Sequence, residues 1–373
     1  MVKKRGFKLI GIMAAAALVL SFLASPASAK WPEKPINLFI GWSAGGASDI
    51  VARSVALEME KDLKTKILAT NVDGALGSIG ASQVASAPPD GHLWFGGAAV
   101  HGTWPVLGHA DISWTDFYSF LAVVFPTTIY VKADAPWKNL DEFLADVKSK
   151  PKGTFKFGHP GAGSNGAIFG GILMEAAGIT EDVVSVPYKG GREAGKYLLS
   201  GDINFTSVTM GDLSDWAVAG RIRPLANLYA EDIVFEGVTF PSAVKKFPSL
   251  EPYQAINPYF GVYVPRGVDH AIIERITESF LWAVQQPTFK KVAVDQRAGV
   301  MAPLVGVASD KQMSKIESAR GTALWDLKIA KNDPKKLGIP EPSAWKWPPH
   351  ERAAKVKPWP EKAETLFKEC GFK

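Results

Sequence analysis

The feature that most constrains the fold is a glycine-rich turn between an apolar, strand-like run and a helix-like run. The run Ile36–Ile40 leads into Gly41–Asp49, whose sequence is G-W-S-A-G-G-A-S-D, and a helical pattern then continues to Leu63. Glycines let the backbone approach a ligand closely, and the free N–H groups of a helix N-terminus favour an anion. This unit therefore predicts an α/β chain with an anion-binding turn.

A second unit of the same kind follows later in the chain. The pattern predicts a strand at Thr154–Phe157, a glycine-rich turn at Gly158–Gly166 and a helix that continues to Ala177. Strand-like and helix-like runs alternate around both units, which is typical of parallel sheets flanked by helices. Because ligands of such sheets bind at the carboxyl ends of the strands, two facing lobes would place both turns on one ligand.

The N-terminus has the composition of a secretory signal peptide. Basic residues precede the apolar run Leu9–Leu23, whose length of about fifteen residues is too short for a spanning helix. Ala27-Ser28-Ala29 fits a small-residue cleavage site, so residues 1–29 are predicted to be a signal peptide. The alternative is an uncleaved N-terminal anchor. We therefore expect an exported protein.

Charge and cysteine content narrow the possible functions. Four of the basic residues behind the formal charge of +5 lie in the predicted signal peptide, so the rest of the chain is close to neutral. Nucleic acid is therefore not expected as a partner. The single cysteine, Cys370, excludes an intrachain disulfide and a cysteine-based metal site, and the histidines lack metal-ligand spacing. We expect neither a metal nor a cofactor.

Two other motif matches compete with the anion-binding interpretation. Gly41–Gly45 matches G-x-S-x-G, the nucleophile turn of a serine hydrolase, with Ser43 as the nucleophile. Three histidines follow in the required order: His159, His270 and His350. The position argues against this enzyme, because an oxyanion-hole donor has to come from an earlier loop. Gly161–Gly166 matches the dinucleotide motif G-x-G-x-x-G, but the acidic pair after it precedes the next strand instead of ending it.

Several motifs resemble those of one known family in their order and spacing. Trp31–Ile36 resembles Y/W-P-x-K-P-I, Trp42–Asp49 resembles F-x-A-G-G-x-x-D, and Asn71–Gly80 resembles N-R-x-G-A-x-G-x-x-G. Further along, Gly161–Asn165 resembles G-x-G-S-S and Val186–Gly191 resembles V-P-Y-K-G-G. On these motifs the chain is similar to the substrate-binding proteins of the tripartite tricarboxylate transporter family, the Bug or TctC-like receptors.

The resemblance implies an α/β, type II-like periplasmic binding protein, in which two lobes surround a ligand cleft and each lobe is a mainly parallel sheet flanked by helices. Lobe 1 is expected at residues 30–130 and 250–373, with a Pro- and Trp-rich tail at 332–373, and lobe 2 at residues 131–249. The receptor is expected to be a periplasmic monomer without catalytic residues. It would bind a di- or tricarboxylate or an aromatic acid and deliver it to a membrane permease.

The expected ligand site consists of the two glycine-rich loops and residues near them. Ser43 to Gly46 and Gly163 to Asn165 are expected to donate N–H or hydroxyl groups to the carboxylate, whereas Asp49 orders its own helix N-terminus. Closure is expected about a hinge near Val131 and Val264. The predicted ligand-binding residues are Trp42, Ser43, Ala44, Gly45, Gly46, Asp49, Gly77, Ser78, His101, His159, Gly161, Gly163, Ser164, Asn165, Lys189 and Thr209.

Departures from the family pattern leave the identity of the acid open. Val72, Asn165 and Val208-Thr209 stand where the family has other residues, and all lie near the expected ligand. In the tail, the irregular pattern predicts loops, and its tryptophans are expected to pack onto the body of the protein.

Overall fold

The computed structural model describes residues 31–371, so the predicted signal peptide lies outside the described residues. The strands are β1 Ile36–Ile40, β2 Ile67–Asn71, β3 Leu93–Ala98, β4 Phe117–Val124, β5 Thr127–Lys132, β6 Phe155–His159, β7 Val183–Pro187, β8 Phe205–Thr209, β9 Ile222–Asn227, β10 Ile233–Phe235, β11 Val238–Phe240, β12 Tyr259–Pro265 and β13 Val300–Leu304. The α-helices are α1 Ala47–Leu63, α2 Ser78–Ser86, α3 Thr103–Leu107, α4 Leu140–Ser149, α5 Asn165–Ala177, α6 Gly191–Ser200, α7 Met210–Val218, α8 Ala243–Lys246, α9 His270–Gln285, α10 Pro287–Lys290, α11 Gly306–Asp326, α12 Glu351–Ala354 and α13 Glu361–Glu369.

Among residues 31–371 the strands form two main sheets and a short ribbon of β10 and β11. The first sheet has the order β13-β4-β12-β3-β1-β2, and the second has the order β7-β6-β8-β5-β9. Helices flank both sheets, and each sheet packs around apolar residues of its own. The predicted fold class, a two-lobed α/β protein, is confirmed.

Both sheets are mixed, whereas the sequence predicted mainly parallel ones. β1 pairs in parallel with β2 and β3, and β6 pairs in parallel with β7 and β8. In contrast, β12 is antiparallel to β3 and β4, and β5 is antiparallel to β8 and β9. β5 and β12 are the strands that enter each sheet after the chain has crossed from the other one. Because they arrive from the opposite side, they run against their neighbours.

The two crossings between the sheets lie side by side, at residues 124–127 and 256–259. The Phe125 N–H donates to the carbonyl oxygen of Pro258 at 3.2 Å, and the Thr127 N–H donates to Oδ1 of Asn257 at 2.9 Å. These bonds hold the two connections between the sheets together.

The expected hinge positions lie inside strands instead of at the crossings. Val131 pairs within β5 and Val264 pairs within β12, and both side chains are buried. The crossings therefore lie several residues before each position. The division into lobe 1 (30–130 and 250–373) and lobe 2 (131–249) remains a prediction.

The helix α1 shows why the first unit folds as the sequence predicts. Val51, Val55 and Met59 recur at helical spacing and are fully buried in the first core. β4 does not alternate, because all eight of its residues are buried and all but Ser119 are apolar. No strand is predicted there from the sequence.

Helix α11 contacts the apolar cores of both sheets. Met313 and Ile316 pack into the first core, whereas Ala323 and Leu324 pack into the second. A single helix of 21 residues therefore lies across both halves of the molecule.

The Pro- and Trp-rich tail packs against the first core, as expected. Trp359 is buried, and its ring lies 4.9 Å from that of Tyr118 and 5.3 Å from that of Phe120. Its Nε1 donates to Oδ2 of Asp310 at 3.1 Å. The expectation of an irregular tail is wrong in part, because α12 and α13 form within it.

Candidate ligand site

A cavity of about 40 Å³ lies between the loops that follow β1, β6, β7 and β8. The residues that precede four helices line it: Gly46 before α1, Ser164 before α5, Gly190 before α6 and Thr209 before α7. The first turn of each helix carries N–H groups without intrahelical acceptors and a partial positive charge. Both sheets therefore contribute to a cavity that favours an anion.

The first loop is ordered by Asp49, as the sequence analysis expected. Oδ2 of Asp49 accepts from the Gly45 N–H at 2.9 Å, and Oδ1 accepts from Nε of Arg53 at 2.7 Å and from Nδ2 of Asn71 at 2.9 Å. With both oxygens engaged, the buried side chain fixes the turn around Gly45, whose φ is +81°. The carboxylate stabilises the loop and does not line the cavity.

The second loop is ordered by Ser164, whose hydroxyl oxygen accepts from the Ala167 N–H at 3.1 Å. This is an ordinary N-cap, and it directs the start of α5 at the cavity. Gly163 has a φ of +78°, and a Cβ there would lie 2.5 Å from the side chain of Leu107. The positive φ and this close approach to Leu107 therefore favour glycine at this position.

Asp212 is a site residue that the sequence analysis did not identify. Its Oδ1 accepts from the Ala47 N–H at 2.9 Å, across the cleft, and its Oδ2 accepts from the Thr209 hydroxyl at 2.6 Å. Burial raises the pKa of Asp212, although these hydrogen bonds oppose the shift. A Cβ on Gly191 would lie 2.3 Å from Oδ2, so the carboxylate occupies space that only glycine leaves open.

Arg320 of α11 is the second unidentified residue, and it is fully buried. Nε donates to the Thr103 hydroxyl at 2.9 Å, Nη2 donates to the Gly163 carbonyl oxygen at 2.6 Å, and Nη1 donates to Oδ1 of Asn165. Burial lowers the pKa of Arg320 to about 9, so the guanidinium stays charged at neutral pH. Among residues 31–371 no carboxylate lies within 4.0 Å of it. Its positive charge therefore sits directly behind the second loop.

A larger opening of about 460 Å³, here called the vestibule, adjoins the cavity. The two share Trp42, Leu76 and Pro160 as wall residues. Ala75 and Leu76 have φ values of +45° and +56°, a conformation that L-residues seldom adopt. Trp104 holds this turn through a 2.9 Å hydrogen bond from Nε1 to the Leu76 carbonyl oxygen. The cavity and the vestibule therefore share a wall at this turn.

The structure brings part of the predicted set to the cavity. The predicted residues on its wall are Trp42, Ser43, Gly46, Ser164, Asn165 and Thr209. Gly161 and Lys189 lie on the wall of the vestibule. Four others belong to the two loops without lining the cavity: Ala44, Gly45, Asp49 and Gly163.

Gly77, Ser78, His101 and His159 do not lie on the cavity wall. His101 lies in the first core, where its ring is 4.2 Å from that of Tyr263. Burial lowers the pKa of His101 to about 3. The rings around His101 are those of Phe95, Trp104, Phe117 and Tyr263. The sequence next to position 101 does not indicate this environment, because most of these rings come from other parts of the chain.

His159, Gly77 and Ser78 also lie behind the loops that form the cavity. His159 is buried, and its Nε2 shares a 2.7 Å hydrogen bond with the Ser185 hydroxyl. A Cβ on Gly77 would lie 3.1 Å from the rings of Trp42 and Phe95, so this glycine supports the loop from beneath.

The chain is similar in sequence and fold to known substrate-binding proteins. The sequence model of the tripartite tricarboxylate transporter family receptor matches residues 51–319. The chain belongs to this family. The UPF0065 protein in the gbd 5' region of Cupriavidus necator is 28% identical to the receptor over 291 residues, which cover 75% of the receptor and 84% of the relative.

Solved structures share the receptor's fold. The periplasmic binding protein BugD has 23% identity and a TM-score of 0.73, over 81% of the receptor and 100% of that chain. Rpa4515 of R. palustris with adipate has 20% identity and a TM-score of 0.70, over 80% and 99%. The family and these neighbours are substrate-binding proteins and not enzymes.

A serine hydrolase would need a histidine base beside Ser43, and two of the three candidate histidines are bonded elsewhere. His159 is bonded to Ser185, and His350 is bonded to Glu317 at 3.3 Å. Within the part of the chain that the structure describes, no histidine forms a hydrogen bond with Ser43. Ser43 is therefore a wall residue of the cavity.

The described residues also lack the features of two other classes. Between residues 31 and 371 no group of three or more His, Cys, Asp or Glu side chains is placed to hold a metal. Over the same range no helix has both the length and the apolar character needed to span a bilayer.

Proposed function

We propose that the receptor is a periplasmic binding protein for a small organic carboxylate, which it delivers to a membrane permease of the tripartite tricarboxylate type. The observation that carries the proposal is the convergence of four helix N-termini on one cavity. Aligned peptide dipoles and free N–H groups bind an anion without a cationic side chain in the loops.

The carboxylate is proposed to bind on the α5 side of the cavity. Ser164 and Asn165 lie on this wall, and the buried guanidinium of Arg320 stands behind them. A cation in a region of low dielectric acts over a longer range than one in water. Ser43 and Gly46 complete the opposite wall. Both walls come from one chain, so one chain suffices to form the site, in keeping with the proposed monomer.

The size of the cavity indicates how the rest of the ligand is placed. A volume of about 40 Å³ suffices for a carboxylate group or about three water molecules. The remainder of an acid extends into the vestibule, and a larger acid requires a wider cleft. The paired crossings at 124–127 and 256–259 are the proposed hinge, since they alone join β4 to β5 and the second sheet back to β12.

A neighbour of the same fold gives independent support for the ligand class, because Rpa4515 was solved with adipate. The proposed lobes are those of the sequence analysis, residues 30–130 with 250–373 and residues 131–249. The protein is proposed to be exported by its signal peptide, which is cleaved after Ala29.

The test is a thermal-shift screen of the protein without residues 1–29 against mono-, di- and tricarboxylates and aromatic acids. A ligand that binds only the folded state stabilises it by about 2.7 kcal/mol at a hundredfold excess over Kd. Ser164→Ala is expected to weaken binding at least about tenfold, because it removes the hydroxyl that orders the second loop.

Ser242→Ala is the matched control, since its hydroxyl also accepts from an N–H at a helix start, at 3.3 Å, but away from the cavity. If none of the carboxylates in the screen stabilises the protein, the proposal is overturned. Ester hydrolysis by the wild type that Ser43→Ala abolishes would favour the hydrolase instead.

A further inference from the structure

An internal carboxylate already occupies the N-terminus of α1. Asp212 belongs to α7 on the second sheet, yet its Oδ1 accepts from Ala47, the first residue of α1 on the other side of the cleft. The side chain is buried and lines the cavity. One of the four positions that favour an anion is therefore filled by the protein itself.

The hydrogen bonds around Asp212 are those of an ionised carboxylate. Oδ1 accepts from an N–H and Oδ2 accepts from the Thr209 hydroxyl, so both oxygens act as acceptors. Gly191 leaves the space for Oδ2. The charge is stabilised by the helix dipole and by these two donors.

The nearby cations are engaged with a different acid. Arg192 forms a two-pronged ion pair with Asp215 at 2.6 and 2.8 Å, and Arg297 lies 3.6 Å from the same carboxylate. The contact of Arg192 with Asp212 is to its backbone carbonyl oxygen, at 2.9 Å. Both arginines also attract the Asp212 carboxylate and oppose the rise in its pKa, but both cations are shared with Asp215. A second anion placed beside the Asp212 side chain would therefore meet a like charge whose nearby cations are already engaged.

The two sides of the cavity thus carry opposite charges. Arg320 lies behind the α5 loop, and Asp212 lies at the α1 terminus. A ligand that fits this arrangement has one carboxylate towards Ser164 and a hydrogen-bond donor towards Asp212. A donor satisfies the remaining acceptor capacity of the Asp212 oxygens, whereas a second carboxylate repels them.

We propose that Asp212 is a specificity-determining residue, which excludes a second carboxylate and selects monocarboxylates that carry an ammonium or hydroxyl donor. The inference rests on the proposed function, because it assumes that a carboxylate binds in this cavity. It narrows the proposed ligand from organic acids in general to monocarboxylates with a hydrogen-bond donor.

The decisive variant is Asp212→Asn. The Asn side-chain oxygen accepts from the Ala47 N–H, and its amide donates to the Thr209 hydroxyl, so the shape and both hydrogen bonds are kept while the charge is removed. Asp134→Asn is the control, since this carboxylate belongs to the second sheet's side of the molecule and is 75% exposed. Calorimetric titration of the chain without residues 1–29 measures Kd.

Four acids with the same four-carbon skeleton separate the alternatives: 4-aminobutyrate, 4-hydroxybutyrate, butyrate and succinate. The wild type is expected to bind 4-aminobutyrate or 4-hydroxybutyrate more tightly than succinate, and comparison of these two distinguishes an ammonium from a hydroxyl. In Asp212→Asn the ratio of the Kd for succinate to the Kd for the preferred acid is expected to fall at least about tenfold. Asp134→Asn is expected to leave this ratio unchanged.

Three results would overturn the inference. The first is a wild type that prefers succinate. The second is an Asp212→Asn variant that tightens binding of all four acids equally, because Asp212 would then be only an internal competitor. The third is that none of the four binds although another acid in the screen does. If no carboxylate binds at all, the proposed function itself fails.

Discussion

Arg320 donates from Nη2 to the carbonyl oxygen of Gly163 at 2.6 Å, over 157 residues of sequence. The same guanidinium contacts Asn165 and, from Nε, the Thr103 hydroxyl. One side chain on α11 therefore fixes the loop around Gly163 and joins it to the start of α3.

The first prediction is that Arg320→Met destabilises the protein by about 3 kcal/mol or more, because three buried acceptors lose their donor. The loss is measured as the fall in the midpoint and in the free energy of urea-induced unfolding. Arg352→Met is the control, since Arg352 is 47% exposed and pairs with Asp116 at the surface. Its expected cost is below about 1 kcal/mol. Equal stability of the two variants would contradict the role given to Arg320.

The second prediction concerns the contact between Gly190 and Ser43. A Cβ on Gly190 would lie 2.5 Å from Oγ of Ser43 but 3.7 Å from its Cβ, and the φ of −174° suits any residue. Gly190→Ala is therefore expected to obstruct closure of the cleft and to weaken ligand binding at least about tenfold.

Ser43→Ala removes the obstructing atom, so the double variant is expected to bind like Ser43→Ala alone. Titration of the four proteins with the tightest acid of the screen forms a double-mutant cycle. Additive losses would show that the two residues do not meet in the ligand-bound state.

The local parts of the site could be predicted from the sequence because the signals are local. A strand, a glycine-rich turn and a helix start follow one another within a few residues at Gly41–Asp49 and at Gly158–Gly166. The structure has β1 and α1 around the first turn and β6 and α5 around the second. Trp42, Ser43 and Ser164 reach the cavity for this reason.

The long-range parts could not be predicted in the same way. Asp212 and Ala47 are separated by 165 residues, and nothing in the pattern around either one indicates the other. His101 shows the converse error, because a polar residue type suggested a ligand contact at a position that the fold encloses in aromatic rings. Contacts of this kind depend on how whole helices and strands pack against one another. The local pattern of a single sequence does not specify that packing.

The third prediction is a loss of stability in acid that originates from His101. Its pKa in the folded state is about 3, whereas that of the unfolded chain is 6.5. Above pH 6.5 both states are neutral and there is no effect. Below pH 6.5 the unfolded state takes up a proton that the folded state does not, so this group destabilises the fold by about 2 kcal/mol at pH 5.

His101→Leu is expected to remove this part of the pH dependence. The measurement is urea-induced unfolding of the wild type and the variant at pH 7.5 and pH 5. His109→Leu is the control, because His109 is exposed and should leave the wild-type dependence unchanged. If His101→Leu loses as much stability between the two pH values as the wild type, the buried imidazole is not the cause.

The fourth prediction assigns the tail a structural role through Trp359. Its ring packs on Tyr118 and Phe120, and its Nε1 donates to Asp310, which also forms a buried ion pair with Arg266 at 2.8 Å. Trp359→Ala is expected to cost about 3 to 5 kcal/mol, because it removes a large buried ring and one donor to a buried carboxylate.

Trp359→Phe separates the two contributions, since it keeps most of the packing and removes only the donor. It is expected to lie between Trp359→Ala and the wild type. Trp325→Ala, at a site that is 48% exposed, is expected to cost less than about 1 kcal/mol. These free energies come from urea-induced unfolding. A Trp359→Ala variant no less stable than Trp325→Ala would mean that the tail is held elsewhere and that the first core folds without it.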